Sequence, residues 1–198
     1  MWRPTDSWSY SYLLGLYLGD GCVTRTARTY QLRIVLDGIY PGIIDACEAA
    51  VLFTVRPRAV HRRTARNSRA IIIEASSKLL PEVFPQHGPG RKHERPIVLA
   101  NWQQAIVDAY PEQFLKGLIH SDGCRTVNRF KTRLPSGRVA EYEYPRYFFS
   151  NLSADIRALF CAACDRLGIR WTQSNHRNIS VSHRHSVAAL DAFIGEKR

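Results

Sequence analysis

The stretch Tyr12-Leu13-Leu14-Gly15-Leu16-Tyr17-Leu18-Gly19-Asp20-Gly21-Cys22 returns about a hundred residues later as Phe114-Leu115-Lys116-Gly117-Leu118-Ile119-His120-Ser121-Asp122-Gly123-Cys124. The copies align without a gap: aromatic, Leu, any, Gly, Leu, apolar, any, small, Asp, Gly, Cys. Such self-similarity marks a duplicated unit. Gly15 and Gly19 lie four apart, as do Gly117 and Ser121, so in a helix each pair occupies one face. A face of small residues lets two helix backbones approach more closely than the usual 8–10 Å. If helix 12–20 packs on helix 114–122 about an approximate two-fold axis, Asp20 and Asp122 meet at the C-terminal ends. Both acids would then repel each other and face the negative end of a helix dipole, an arrangement that calls for a bound cation. Mg²⁺ suits such a place, because it uses one or two carboxylates and takes its other ligands from phosphate and water.

The segments after the two copies also match. After Cys22, residues 22–28 and 30–36 read as strands, the second alternating Leu32, Ile34, Leu36. Pro41-Gly42 opens a helical stretch, residues 56–64 and 69–75 read as a second strand pair, and 79–84 as a short helix. In the second half, 125–132 and 142–149 are strand candidates joined by Leu134-Pro135-Ser136-Gly137. A helix over 151–167 starts at Ser153 and stops at Gly168, 170–174 and 179–183 are strands, and 186–194 is a helix. The expected fold class is α+β, with two pseudo-symmetric αββαββα repeats, each holding an antiparallel four-stranded sheet. Residues 1–84 form the first repeat and 111–198 the second. Residues 85–110 are a basic, Pro/Gly-rich linker followed by an amphipathic helix at 98–109.

Lys and Arg outnumber Asp and Glu by 28 to 17, a formal charge of +11 that attracts polyanions. Arg predominates, which favours forked contacts to phosphates and guanine edges. No apolar run is long enough for a membrane span, and the first ten residues are too polar for a signal peptide. The expectation is a soluble, cytoplasmic protein with no membrane partner. Cys161 and Cys164 form a CxxC with His176, His183 and His185 downstream, but the helical periodicity around them favours buried thiols over a zinc site.

At Leu13–Gly21 and Leu115–Gly123 the sequence resembles the LAGLIDADG family of homing endonucleases and related DNA-binding proteins. The resemblance implies a monomer with internal pseudo-two-fold symmetry whose sheets form a saddle on double-stranded DNA. It implies that Asp20 and Asp122 bind catalytic Mg²⁺ or Mn²⁺, helped by the backbone carbonyls of Gly19 and Ser121. A basic residue near the scissile phosphate is also implied. Lys78, at the end of the last strand of repeat one, is placed for that role, as are His183, Arg184 and His185 in repeat two. Asn151 could orient water or simply start a helix. The name-giving motif often carries an acid where this chain has Leu18 and His120, and Lys116 makes the copies unequal.

Candidate DNA contacts are Arg25, Arg33, Arg56, Arg58, Arg62, Arg69, Arg129, Lys131, Arg133 and Arg184. Alternation would let Arg25 and Arg33, and likewise Arg129, Lys131 and Arg133, share a groove-facing surface. The interleaved Tyr142, Tyr144, Tyr147 and Phe149 are expected to be packing residues. The leading function is a metal-dependent, site-specific DNA endonuclease; the alternatives are a non-cleaving DNA-binding regulator and an RNA-splicing cofactor on the same fold.

Overall fold

Asp6 starts the first helix, its Oδ1 accepting from the backbone N–H of Ser9 at 3.1 Å. Helix α1 then runs Ser7–Asp20 and is buried from Ser9 to Leu18. A helix apolar on every side must lie inside the molecule. Here it lies against α5 (Pro111–Asp122), the helix of the second copy, whose first turn begins with Pro111. The structure, a computed structural model, describes residues 2–195.

Each central helix leads straight into a strand. From α1 the chain forms β1 (Gly21–Arg25), β2 (Tyr30–Asp37), α2 (Pro41–Val55), β3 (Val60–Thr64), β4 (Ala70–Ser77) and the single turn α3 (Leu80–Val83). A 3₁₀ turn at Lys92–Glu94 and α4 (Asn101–Ala109) bridge to α5. The second repeat continues with β5 (Gly123–Arg133), β6 (Val139–Ser150), α6 (Ala154–Arg166), β7 (Thr172–Gln173), β8 (Asn178–Val181) and α7 (Arg184–Ile194). Both sheets are four-stranded and antiparallel, ordered β1-β2-β4-β3 and β5-β6-β8-β7. The α+β fold of two αββαββα repeats is thus the one expected.

Some boundaries differ from the sequence reading. Residues 56–59 are loop: Arg56 closes α2 in the left-handed region at φ 48°, and Pro57 has no N–H to give a ladder. Residues 98–100 precede α4 instead of opening it, and the strand expected at 170–174 shrinks to Thr172–Gln173.

One face of each sheet is covered by helices. Leu32, Ile34 and Leu36 point into it from β2, and Tyr147, Phe149, Ile179 and Val181 do so in the second sheet. One apolar cluster contains these side chains together with those of α1 and α5, so the repeats share a single core. A buried amide network fastens the linker to α1. Gln103 Nε2 donates to Tyr10 Oη at 2.7 Å, Gln86 Nε2 donates to Gln103 Oε1 at 2.6 Å, and Tyr10 Oη donates to the Val83 carbonyl at 2.7 Å. On the other side, Asp155 Oδ2 accepts from the Ile97 N–H at 2.7 Å.

Candidate active site and nucleic-acid interface

The small residues of the motif do what their spacing suggests. A Cβ on Gly15 would stand 2.8 Å from the Leu118 nitrogen and 2.9 Å from the Gly117 Cα. One on Gly117 would meet the Tyr12 carbonyl and come within 2.9 Å of the Leu16 nitrogen. A Cβ on Gly19 would overlap the Ser121 side chain and reach 3.0 Å from Asp122 Oδ2. The two helices therefore touch backbone to backbone. Their C-terminal ends converge, bringing Gly19, Asp20, Ser121 and Asp122 together.

Asp20 and Asp122 are half-buried. Asp122 Oδ2 accepts from Asn151 Nδ2 at 2.6 Å, while Asn151 Oδ1 accepts from the Ser153 N–H at 2.8 Å. Asn151 thus shapes the start of α6, as expected, and its amide orients a site carboxylate. Asp20 opens onto a cavity of about 430 Å³ also lined by Asp37, Tyr40, Arg69, His120 and Ser121. His120 takes its orientation from Tyr12, whose Oη lies 2.9 Å from Nδ1 with the rings edge to face. Its counterpart on α1 is Leu18, fully buried, so the surroundings of the two acids are chemically unequal.

The side chain that sequence reasoning missed is Lys92. Its Nζ donates to the carbonyl oxygens of Tyr17 at 2.5 Å, Leu18 at 2.7 Å and Gly19 at 3.0 Å. It therefore satisfies the Leu18 and Gly19 carbonyls that the helix leaves open at its C-terminus, and shares the Tyr17 carbonyl with the Gly21 N–H. Burial pushes the Lys92 ammonium down to about 8, against the pull of Asp122 and Asp20 in the opposite direction. A second cavity, of about 210 Å³, gathers Lys92 with Tyr17, Cys22, Arg91 and Arg95. The only sequence signal for Lys92 was its place in a basic linker.

Lys78 is not brought to this place. It is exposed in the turn after β4, one residue beyond Ser77, which pairs with Tyr30. The strand that leaves Asp20 joins the sheet at Gly21, opposite Ile34 and Ile73, several residues away along the ladder. Arg184 is the first residue of α7, which starts two residues earlier than expected, with His183 at its N-cap.

Register also assigns the faces. Gly21, Val23 and Arg25 share the helix side with Leu32, while Cys22 and Arg33 are partners on the uncovered side, so Arg25 and Arg33 point oppositely. Arg62 lies on the helix side and is ion-paired with Asp45 at 2.7 Å and with Glu48, both on α2. Arg69 pairs with Asp37 at 2.8 Å, and Arg63, on the uncovered face, with Glu74 at 2.9 Å. Arg56 and Arg58 are exposed in the loop before β3. Arg129, Lys131 and Arg133 do share a face, but it is the one continuous with Arg125 and Tyr147, the helix side. There Arg129 pairs with Glu143 at 3.0 Å and Lys131 with Glu141 at 2.5 Å. Tyr147 and Phe149 are core residues as expected, whereas Tyr142 and Tyr144 sit on the opposite, uncovered face with Phe130.

The donor set suits a hard divalent cation. It offers two carboxylates and the Ser121 carbonyl, with the Gly19 carbonyl already engaged by Lys92. Among the described residues no group of three or more His, Cys, Asp or Glu gathers into a cage. A sparse oxygen set of this kind matches Mg²⁺, which leaves room for water and phosphate, better than it matches Zn²⁺. Cys164 is buried in the core on α6, and burial raises its thiol; burial also pushes Cys161 up to about 11.

This geometry defines a fold class, the LAGLIDADG-like pseudo-symmetric fold. The chain is similar to the LAGLIDADG meganuclease I-AabMI, solved bound to uncleaved DNA, with 12% identity, a TM-score of 0.56, and 95% of this chain and 82% of that one covered. It is similar to the LAGLIDADG homing endonuclease I-LtrWI bound to target DNA, with 8% identity, a TM-score of 0.57, and coverage of 97% and 85%. It also resembles full-length DUF199/WhiA from Thermatoga maritima, with 16% identity and a TM-score of 0.60; here all of this chain matches 58% of that one. No protein-family model and no curated protein matches the sequence. None of the described helices is long and apolar enough to cross a membrane.

Proposed function

We propose that this protein binds double-stranded DNA as a monomer across its two uncovered sheet faces and hydrolyses both strands beneath the α1–α5 pair. The observation that supports this reading best is the convergence of Asp20 and Asp122, from equivalent helix ends, beside one half-buried lysine. Two acids and helix termini concentrate negative charge where a DNA phosphate would have to come, and bound cations would offset that repulsion. Asp20, Asp122 and the carbonyls of Gly19 and Ser121 are the groups that would hold Mg²⁺ or Mn²⁺. Such ions, when bound, polarise the phosphate and lower the pKa of coordinated water. Lys92 neutralises the end of α1 and supplies a cation on the protein side of the site. Asn151 fixes the Asp122 carboxylate, and His120, oriented by Tyr12, lines the Asp20 cavity.

A second reading, a DNA-binding regulator that does not cut, is favoured by one contact. Lys92 already occupies the Gly19 carbonyl, a group the nuclease reading assigns to the metal. The two readings separate in one experiment. Purified protein is incubated with a randomised duplex library and Mg²⁺, beside Asp20→Asn and Asp122→Asn. The nuclease reading expects cleavage by the unaltered protein alone, with binding retained in both variants. Tight binding without cleavage supports the regulator, and cleavage surviving both substitutions overturns the assignment of the acids. Binding should also weaken steeply with salt, as counterion release requires; flat salt dependence would reject DNA as the ligand.

A further inference from the structure

The β5–β6 hairpin is longer than the sheet that carries it. β8 pairs with β6 only from Tyr147 to Ser150, so the segment from Thr126 to Arg146 has no third strand. Pro145, which cannot donate to a ladder, stands where that third strand ends. The two faces of the free ladder differ sharply. One bears the Arg129–Glu143 and Lys131–Glu141 ion pairs. The other carries no carboxylate between Thr126 and Thr132 on β5 or between Ala140 and Arg146 on β6. On it Phe130 stacks on Tyr142, with centroids 5.2 Å apart and planes at 20°, and meets Tyr144 edge-on at 5.8 Å. Asn128 Nδ2 donates to Tyr144 Oη at 2.9 Å. Phe130 is 41% and Tyr142 45% exposed, although aromatic rings of this size normally find cover.

We infer that this aromatic face docks on the major groove of duplex DNA and reads thymine by its C5-methyl group. The inference rests on the proposed DNA-binding function and assigns part of its specificity. Three features favour a groove over another occupant. The face is free of acids and ends at Arg146; it belongs to the uncovered side of the sheet that begins at the motif; and a two-stranded ribbon fits the width of the major groove. Apolar side chains there find a single apolar group on the base edges, the thymine methyl. With Arg129 and Lys131 neutralised across the strands on the other face, the hairpin offers contact area in place of hydrogen bonds.

The test uses two duplexes that differ only in that methyl, alternating d(A-T) and alternating d(A-U), with affinities measured at low salt. Burying a methyl-sized group changes affinity about fourfold, so two contacted methyls give a preference for d(A-T) of roughly fifteenfold. Phe130→Gln with Tyr142→Gln should reduce that preference to less than about twofold, with an unaltered circular dichroism spectrum. Lys131→Gln, on the other face, should leave the preference intact. Equal affinity of the unaltered protein for both duplexes overturns this inference alone, as does a preference that survives the double substitution. Failure to bind either duplex overturns the DNA-binding reading itself. A dimer in light scattering that the double substitution abolishes would assign the face to a second copy of the chain instead.

Discussion

The Lys92 ammonium lies 3.0 Å from the carbonyl oxygen of Gly19, the residue that precedes Asp20. A linker residue thus reaches back more than seventy positions to close the helix that delivers the first motif acid. Three carbonyls and two nearby carboxylates surround a cation whose burial works against its charge. Removal of that cation should therefore be felt at the site before it is felt in the fold.

On the nuclease reading, Lys92→Met is expected to lower DNA cleavage by about 10²–10⁴-fold, the range typical of a positioned acid–base or charge-stabilising group, with target affinity changed only a few-fold. Lys92→Arg should not restore activity, because a planar fork cannot place donors on three carbonyls as an ammonium does. Single-turnover cleavage beside a gel-shift titration checks both points. Unchanged cleavage by Lys92→Met would return Lys92 to a purely capping role.

The helix contact makes a sharper stability prediction. Gly15→Ala or Gly117→Ala places a methyl against backbone atoms that cannot swing aside. Overpacking of this kind costs about 1–3 kcal/mol, and at this chain length each kcal/mol lowers Tm by roughly 2–4 °C. Calorimetry on both variants should show comparable losses, because each glycine faces the other's helix. A neutral result at either position would mean that the helices can separate without cost.

How much of this was legible beforehand depended on the kind of signal. Gly15, Gly19, Gly117 and Ser121 announce their partner because a small-residue face at helical spacing has few other uses, and the acids come at the next position. Lys92 carried no such signal: it sits in a Pro/Gly linker without periodicity, and only the path of that linker under α1 brings it to the acids. Lys78 looked better placed because it ends a strand, yet that strand ends several residues along the ladder from Gly21. On β5, alternation correctly grouped Arg129, Lys131 and Arg133 but could not say which face they occupy. The apolar residues that usually mark the covered side give way there to charges paired across the strands.

Acid stability should depend on Asp191. Arg125 Nε and Nη2 donate to its two oxygens at 2.8 and 3.0 Å, and Tyr147 Oη donates at 2.7 Å. These donors, Arg125 foremost, hold the carboxyl below its usual value of 3.8. A depressed carboxyl contributes stability above its unfolded pKa and loses that contribution as pH falls through the folded value. The Tm difference between the unaltered protein and Asp191→Asn should therefore be constant near neutrality and shrink below about pH 4. Asp191 is partly exposed, so the difference should also shrink in high salt. A pH-independent difference would assign the effect to lost packing of α7.

Asn151 allows its two contacts to be separated. Its Oδ1 shapes the turn into α6 by accepting from Ser153, and its Nδ2 holds Asp122. Asn151→Ser keeps an acceptor for the turn, since serine hydroxyls form the same local bond more weakly, but it has no amide to donate to Asp122. The expected loss of stability is under about 1 kcal/mol. On the nuclease reading, cleavage should fall unevenly, because Asp122 loses the Asn151 contact while the Asp20 side, with Tyr12 and His120, is untouched. On a supercoiled plasmid carrying a selected target, one strand should be cut at close to the usual rate and the other slowly, so that nicked circles accumulate ahead of linear product. Equal slowing of both strands would mean that Asp122 serves both cuts, and that the two acids act as one shared centre rather than as two unequal ones.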